Sequence, residues 1–335
     1  MPAAFDVTAL GNAIVDVISP ADDTFLQAEG VAKGAMTLID EAQAARLYGR
    51  MAPGVEASGG SAGNTVAGIA SLGGRAAYIG KVADDVLGGV FAHDLRAGGV
   101  EFRTSPLVGG AATARCLVNV TPEGQRSMCT FLGASVALTP DDLDAELIKG
   151  AQVVYLEGYL FDAPAARRAF AEAAQIARAA GRRIALTLSD GFVVERHREG
   201  LLAFIDAEVD VVFSNAAEVT ALFRTDDAET AGRRLAERVA VAAVTHGAAG
   251  SVVYGPGERV QVAAAPVAEV IDTTGAGDQY AAGVLFGLAR GRPLEVCGRL
   301  GALAAAEVIG HYGPRPQTSL KQLAAKAGLL DAGTA

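Results

Sequence analysis

An α/β protein with a mostly parallel central sheet, helices on both of its faces and a small second β-sheet is the fold class this sequence predicts. Three observations carry the prediction. From about residue 150 onward, short β-branched runs alternate with alanine-rich helical stretches, the rhythm of βαβ units and of a sheet covered on both sides. The first third breaks that rhythm with several strand-like segments that have no helix-length stretch between them. Hydrophobic residues make up 51% of the 335, aromatics only 6%, and tryptophan is absent, which suits close-packed helices against buried strands.

The chain opens on a strand at Phe5–Leu10. Ala13–Ile18 and Met36–Ile39 read as further strands with no helix between them, and Thr113–Phe131 reads as strand-rich around the turn Thr121-Pro122-Glu123-Gly124. Two separated strand-rich insertions predict a small sheet built outside the main one, from about residues 13–40 and 105–135, placed as a lid over a site. The remainder forms the large α/β domain. Its strands are expected at Val153–Leu156, Ile184–Leu188, Val209–Phe213 and Val241–Val244, and its helices near Pro164–Ala180, Ala216–Phe223 and Asp227–Arg238. Helices near Ala276–Arg290 and Leu294–Ile309 close the pattern. With no repeat, low-complexity segment or linker, residues 1–330 are expected to form one unit.

A formal charge of −10 and the lack of a Lys/Arg run argue against nucleic acid or an anionic membrane as partner. Net charge does not argue against a nucleotide, whose phosphates are held by a few local amides and a metal ion. Cys116, Cys129 and Cys297 are far apart and odd in number, so buried thiols in a reducing compartment are expected. Met1 to Ile18 has no basic, apolar leader pattern, and no apolar run reaches the roughly 20 residues a bilayer requires. A cytoplasmic protein is the expectation.

The most informative segment is Asp272-Thr273-Thr274-Gly275-Ala276-Gly277-Asp278, read as following a strand at Val267–Ile271 and opening a helix at Tyr280–Leu288. Strand, glycine turn and helix start gather free N–H groups and the positive end of the helix dipole at one point, which attracts an anion. Asp278, beside that anion, is placed to take a proton from an attacking hydroxyl. A capped helix after a tight turn would look similar, so the segment alone leaves both readings open. Gly59-Gly60-Ser61-Ala62-Gly63-Asn64 precedes a helix at Thr65–Leu72 and also matches G-x-S-x-G, the nucleophile elbow of α/β-hydrolases, with His246 or His311 as base. An elbow needs a strand immediately before it, and Ala52–Ser58, with Pro and Gly inside, reads as a poor one. No G-x-x-x-x-G-K-[ST] occurs and no G-x-G-x-x-G follows the first strand, so a P-loop NTPase and a Rossmann dehydrogenase are disfavoured. The four histidines have no metal-site spacing.

The run Asp272–Asp278 resembles the signature of the ribokinase-like, phosphofructokinase B-type kinases, and Gly59–Asn64 resembles that family's N-terminal signature. The resemblance spans Phe5 to about Pro316. It implies a ribokinase-like fold and transfer of the γ-phosphoryl group of ATP to a sugar hydroxyl. Asp278 would be the base, Gly275, Ala276 and Gly277 the anion hole, and Asp272 a help in holding a monovalent cation such as K⁺. Gly59 and Gly60 would be a hinge and close-approach site, with Gly60, Ser61 and Asn64 at the sugar. Asn12 and Asp16 sit at the family's spacing for a grip on paired ribose hydroxyls, and a carboxylate accepting two diol hydrogens reads sugars well. Asn215-Ala216-Ala217-Glu218 matches the family's N-x-x-E, in which the Glu organises Mg²⁺ through water, although an N-capped helix would account for the same residues. Thr245, Gly247 and Gly250 lie in a loop resembling the one that, with Asn215, receives ATP; His246 is read as a loop residue.

Within the family, the stretches 56–74, 124–128, 155–160 and 272–285 are most similar to the branch that phosphorylates adenosine on its 5′-hydroxyl. Another nucleoside, ribose or fructose is the alternative acceptor. Met36, Leu38, Phe131, Tyr159 and Phe161 are the expected apolar slot for the base, and each is equally readable as core. Monomer and homodimer both stay open.

Overall fold

The computed structural model describes residues 3–331, so residues 1 and 2 of the expected unit lie outside the described residues. Its strands are β1 (Phe5–Leu10), β2 (Ile14–Pro20), β3 (Met36–Leu38), β4 (Val55–Ser58), β5 (Ala76–Ile79), β6 (Val100–Phe102), β7 (Ala114–Val120), β8 (Arg126–Phe131), β9 (Ala151–Glu157), β10 (Arg183–Thr187), β11 (Val211–Asn215), β12 (Val241–Thr245), β13 (Ser251–Gly255) and β14 (Glu258–Val262). A nine-stranded sheet runs in the order β14-β13-β12-β11-β10-β9-β1-β5-β6. Its pairs are parallel from β6 through β12 and antiparallel only at the hairpin edge formed by β13 and β14.

Near-continuous apolar strands explain why both faces are covered. Val7, Ala9, Tyr78, Val153 and Tyr155 lie in a core completed by the helices Ser61–Ser71, Ala276–Ala289 and Leu294–Val308. Leu10, Ile79, Val154 and Leu156 point the other way, into a core closed by Pro164–Ala179 and Gly191–Glu208. The expected α/β architecture is therefore the observed one.

The second sheet has five strands in the order β3-β8-β7-β2-β4. Four come from the two insertions expected to build it; the fifth, β4, comes from 55–58, where the sequence predicts too poor a strand. Pro53 and Gly54 end before it starts, and Val15 to Ile18 of β2 supply its antiparallel partner. One face of this sheet packs Val17, Leu117 and Cys129 against Leu47 and Phe25. The other face carries, by register, Asp16 with Cys116, Thr130 and Leu38, and one pair further along Met128 with Met36.

Two further expectations are corrected. A helix, Asp23–Glu29, does separate β2 from β3; Asp22 caps it by accepting the Phe25 amide, and Gly30 ends it in a left-handed conformation. Val267–Ile271 is not a strand: the Ile271 amide donates to the Ile309 carbonyl at 2.8 Å, and Val270 is 58% exposed. The three cysteines are buried and free. Among the described residues, no helix is long and apolar enough to cross a membrane.

Candidate active site

Asp278 lies in the first turn of the helix Ala276–Ala289, whose N-cap is Gly275 at φ 77°. Its carboxylate is fixed by the Gly59–Asn64 segment: Ser61 Oγ donates to Oδ1 at 2.6 Å and Asn64 Nδ2 to Oδ2 at 2.9 Å. Two motifs more than 200 positions apart thus meet on one carboxylate. Burial raises the pKa of Asp278, and the Ser61 and Asn64 bonds oppose that rise. Ser61 donates to a carboxylate rather than to a histidine, so the hydrolase reading has no triad here, although a strand does precede Gly59.

The segment Gly59-Gly60 is pinned between both sheets. A Cβ on Gly59 would stand 2.3 Å from Asp16 Oδ2, and Gly60, at φ 80°, presses so close to the Asn12 carbonyl that a Cβ would meet it at 2.3 Å. Glycine is required at both positions for close approach. Asn12, Asp16, Gly60, Ser61 and Asn64 are in this way brought together.

A residue not singled out from the sequence holds that corner. Glu157, at the end of β9 and only 1% exposed, accepts the Asn12 amide at 3.2 Å and the Ala62 amide at 2.9 Å. Burial pushes it up to about 7 against the pull of those two amides, with Asp278 adding repulsion. Lone residues of this kind have no local pattern; only its place at a strand's C-terminal end, where open α/β sheets bind ligands, could have flagged it.

On the other side of Asp278 a small cavity of about 90 Å³ is lined by Ser61, Thr187, Ser189, Asn215, Glu218, Thr245, Gly277 and Asp278, among others. Asn215 and Glu218 form a reciprocal cap: the Glu218 amide donates to Asn215 Oδ1 at 2.8 Å, and the carboxylate accepts the Asn215 amide at 3.0 Å and its Nδ2 at 2.7 Å. Glu218 is pushed up to about 7 by burial, opposed by the Asn215 amide, with Asp190 and Asp278 as repelling neighbours. Thr245, Gly277 and Tyr280 also line a larger, mostly apolar slot of about 420 Å³ with Gly247, Gly250, Ala264, Val270, Ala302 and Ile309. Ala276 lines the slot too, but its amide is engaged at 3.2 Å by the Thr273 carbonyl.

Three expectations change. Asp272 pairs with Arg126 of β8 and accepts the Thr274 and Gly313 amides at 3.0 Å each, so its charge is already matched and a monovalent cation does not fit on that carboxylate in this conformation. Phe161 is core: its ring packs edge-on against Phe170 and Phe204 at 5.1 and 6.0 Å. Phe131 pairs in register with Arg115, whose guanidinium lies over Tyr48, so strand alternation turns it off the face that carries Asp16. Met36 and Leu38 do share the Asp16 face and are 45% and 54% exposed, and Tyr159, half-buried, donates its hydroxyl to the Ser189 carbonyl at 3.3 Å. Among the described residues no cluster of three His, Cys, Asp or Glu is poised around a metal.

The raised carboxylates predict how the ligand-free fold responds to pH. Burial pushes Asp16, Glu157 and Glu218 up to about 7 in the folded chain, from ordinary values of 3.8, 4.5 and 4.5. Between those values the folded state holds protons that the unfolded chain has released, so stability falls as pH rises through that window. Glu229, held down to about 2 by Arg259, acts the opposite way only below its ordinary 4.5. Calorimetry without ligands should give a lower Tm at about pH 7.5 than at about pH 5.5. A Tm that rises over this interval would contradict the assignment.

A mostly parallel sheet, a five-stranded second sheet and a carboxylate in the first turn of a helix define the ribokinase-like kinase class. Residues 36–321 match the model of the pfkB family carbohydrate kinases. The chain is 54% identical to adenosine kinase from Sinorhizobium meliloti, with 97% of this chain and 100% of that one covered at a TM-score of 0.91. It is 50% identical to a probable sugar kinase from Rhizobium etli CFN 42, with 98% and 100% covered at a TM-score of 0.92. Curated relatives include 5-dehydro-2-deoxygluconokinase of Shouchella clausii, 27% identical over 76% of this chain and 81% of the relative. An ATP-dependent ribose-1-phosphate kinase of Halopiger xanaduensis is 31% identical over 81% and 86%. The chain belongs to the pfkB family of carbohydrate kinases.

Proposed function

We propose that this chain phosphorylates the 5′-hydroxyl of adenosine, using ATP and giving AMP, as a step of purine salvage. The observation that carries the reading is the position of Asp278, held by Ser61 and Asn64 between a sugar-side group of residues and a polar cavity that opens into an apolar slot. The similarity to the Sinorhizobium meliloti adenosine kinase supports the acceptor. The apolar slot has the character an adenine ring needs, and its mouth at Thr245 and Gly277 directs the phosphates toward Asp278.

Asp16 and Asn12 grip the ribose, the 5′-oxygen lies against Asp278, and Asp278 takes its proton as that oxygen attacks the γ-phosphorus. Gly275 and Gly277, at the helix start, face the charge that develops on the phosphoryl oxygens. Glu218 fits a hydrated Mg²⁺, being a buried carboxylate on a cavity rimmed with hydroxyls, and when bound the ion neutralises phosphate charge. The small sheet, bridged to the motif by Arg126 and Asp272, acts as a lid that excludes water, which otherwise competes for the phosphoryl group.

Glu218→Ala should raise the Mg²⁺ concentration for half-maximal rate several-fold and leave the KM for the acceptor within about twofold. An unchanged Mg²⁺ titration would remove Glu218 from this role. The reaction itself is checked by ³¹P NMR of a mixture of enzyme, ATP, Mg²⁺ and adenosine: the expected product carries phosphate on the 5′-oxygen, and release of inorganic phosphate alone would overturn the reading.

A further inference from the structure

We propose that Arg315 is a positioning residue of the acceptor site, bracing the amide of Asn64 that donates to Asp278 and supplying a buried positive charge to the acceptor-side residues. The inference rests on the acceptor reading given above. Arg315 belongs to neither glycine motif and stands in the irregular segment between the helices Leu294–Val308 and Leu320–Lys326. That segment is tied to the reaction centre at each step. The Gly313 amide donates to Asp272 Oδ2 at 3.0 Å, the Pro314 carbonyl accepts Gln279 Nε2 at 3.0 Å, and Pro314 lies against Gly275. Prolines on both sides of Arg315 stiffen the backbone that presents it.

The guanidinium reaches inward. Its Nε donates to Asn64 Oδ1 at 3.5 Å, a long contact on the end of the amide opposite Asp278 that favours the same orientation. With Oδ1 turned to a cation, Nδ2 is the end left for Asp278, and it donates there at 2.9 Å. A flipped amide would set oxygen against carboxylate. Nη2 of Arg315 is buried beside Gly63 and has no hydrogen-bond partner among the described residues, so the cation is held for its charge more than for its own bonding.

That charge acts on Asp16. The charges that act on Asp16 through space are those of Arg315, Arg126 from β8, Asp278 and Asp272, and Cys116 pairs with it in register on β7. Burial and the two aspartates push Asp16 up to about 7, and Arg315 is the first of the two cations that oppose them. Arg315 is itself lowered to about 10 by burial and so stays charged at neutral pH. A protonated Asp16 keeps one hydrogen of its own and loses one of its acceptor sites for the diol.

The test uses R315M and R315K, with kcat and KM measured separately for adenosine and ATP across pH, and with 2′-deoxyadenosine as a second acceptor. R315M should raise the KM for adenosine at least about tenfold and leave the KM for ATP within about twofold, and the acid limb of kcat/KM should move to higher pH. The penalty for losing the 2′-hydroxyl should shrink in R315M, because variant and analogue then remove the same interaction. R315K should return the acid limb most of the way while restoring turnover only in part, since an ammonium supplies charge without the planar fork. If R315M does not fold, the limb and turnover of R315K carry the test alone. Equal rises in both KM values, an unmoved acid limb, or additive penalties would overturn the proposal. Wild-type enzyme separates the two claims: failure on adenosine counts against the acceptor reading, and the same pH shift is then sought on the acceptor it prefers.

Discussion

Turnover should fall by about 10²–10⁴-fold in Asp278→Asn, with the ATP affinity nearly unchanged. The substitution keeps size and polarity, and the amide oxygen still accepts the Ser61 hydroxyl that now donates at 2.6 Å. It cannot accept a proton from the attacking hydroxyl. Its NH₂ would face the Asn64 Nδ2 that now donates to Oδ2, so roughly 1 kcal/mol of stability should go as well. The fold should survive, because the helix Ala276–Ala289 is anchored by ten consecutive buried residues from Gln279 to Leu288 rather than by its first turn. Burst kinetics and a thermal melt on the same preparation read both quantities. Retention of near-wild-type turnover would leave Asp278 as a structural cap, and the base would have to be sought elsewhere.

The parts of the site that were legible in the sequence are those whose residues are contiguous. The runs 59–64 and 272–278 each bring glycines, a polar group and a helix start within a few positions, so chemistry and local structure can be read together. Asn215 and Glu218 were legible for the same reason, as a reciprocal cap written at i and i+3. Glu157, Arg126 and Arg315 carry no such signal. Each acts across the fold, Glu157 on amides 95 and 145 positions away and Arg315 on a side chain 251 positions away, and only the sheet topology brings them to their partners.

The misread elements have physical reasons. Val267–Ile271 has the composition of a strand, but the Ile271 and Asp272 amides donate to the Ile309 carbonyl just past the helix Leu294–Val308 instead of pairing with the open edge of β14. Val55–Ser58 has the opposite fault, weak propensity rescued by pairing with β2. The helix Asp23–Glu29 was announced by Asp22 and Gly30, and reading for strands alone passes over such caps. Phe131 and Phe161 show the limit of aromatic content as a guide to a binding slot: register decides the first and the Phe170–Phe204 cluster claims the second.

The choice of acceptor should be strongly biased toward adenosine. Adenosine asks for a polar grip on the ribose hydroxyls together with an apolar surface for the purine. In the proposed reading Asn12, Asp16 and Asn64 serve the first, and Met36 and Leu38, exposed on the Asp16 face of the small sheet, serve the second. A bare sugar leaves such apolar surface uncovered. Losing a stacked base forfeits roughly 1–3 kcal/mol, and losing the hydrogen bonds at its edge adds to that, so kcat/KM for adenosine should exceed that for ribose or fructose by at least about 10²-fold. The direct measurement is a competition in one vessel of adenosine, inosine, guanosine, cytidine, ribose and fructose for limiting ATP in the presence of Mg²⁺. Predominant formation of AMP is the predicted result, and preferential phosphorylation of a free sugar would contradict it.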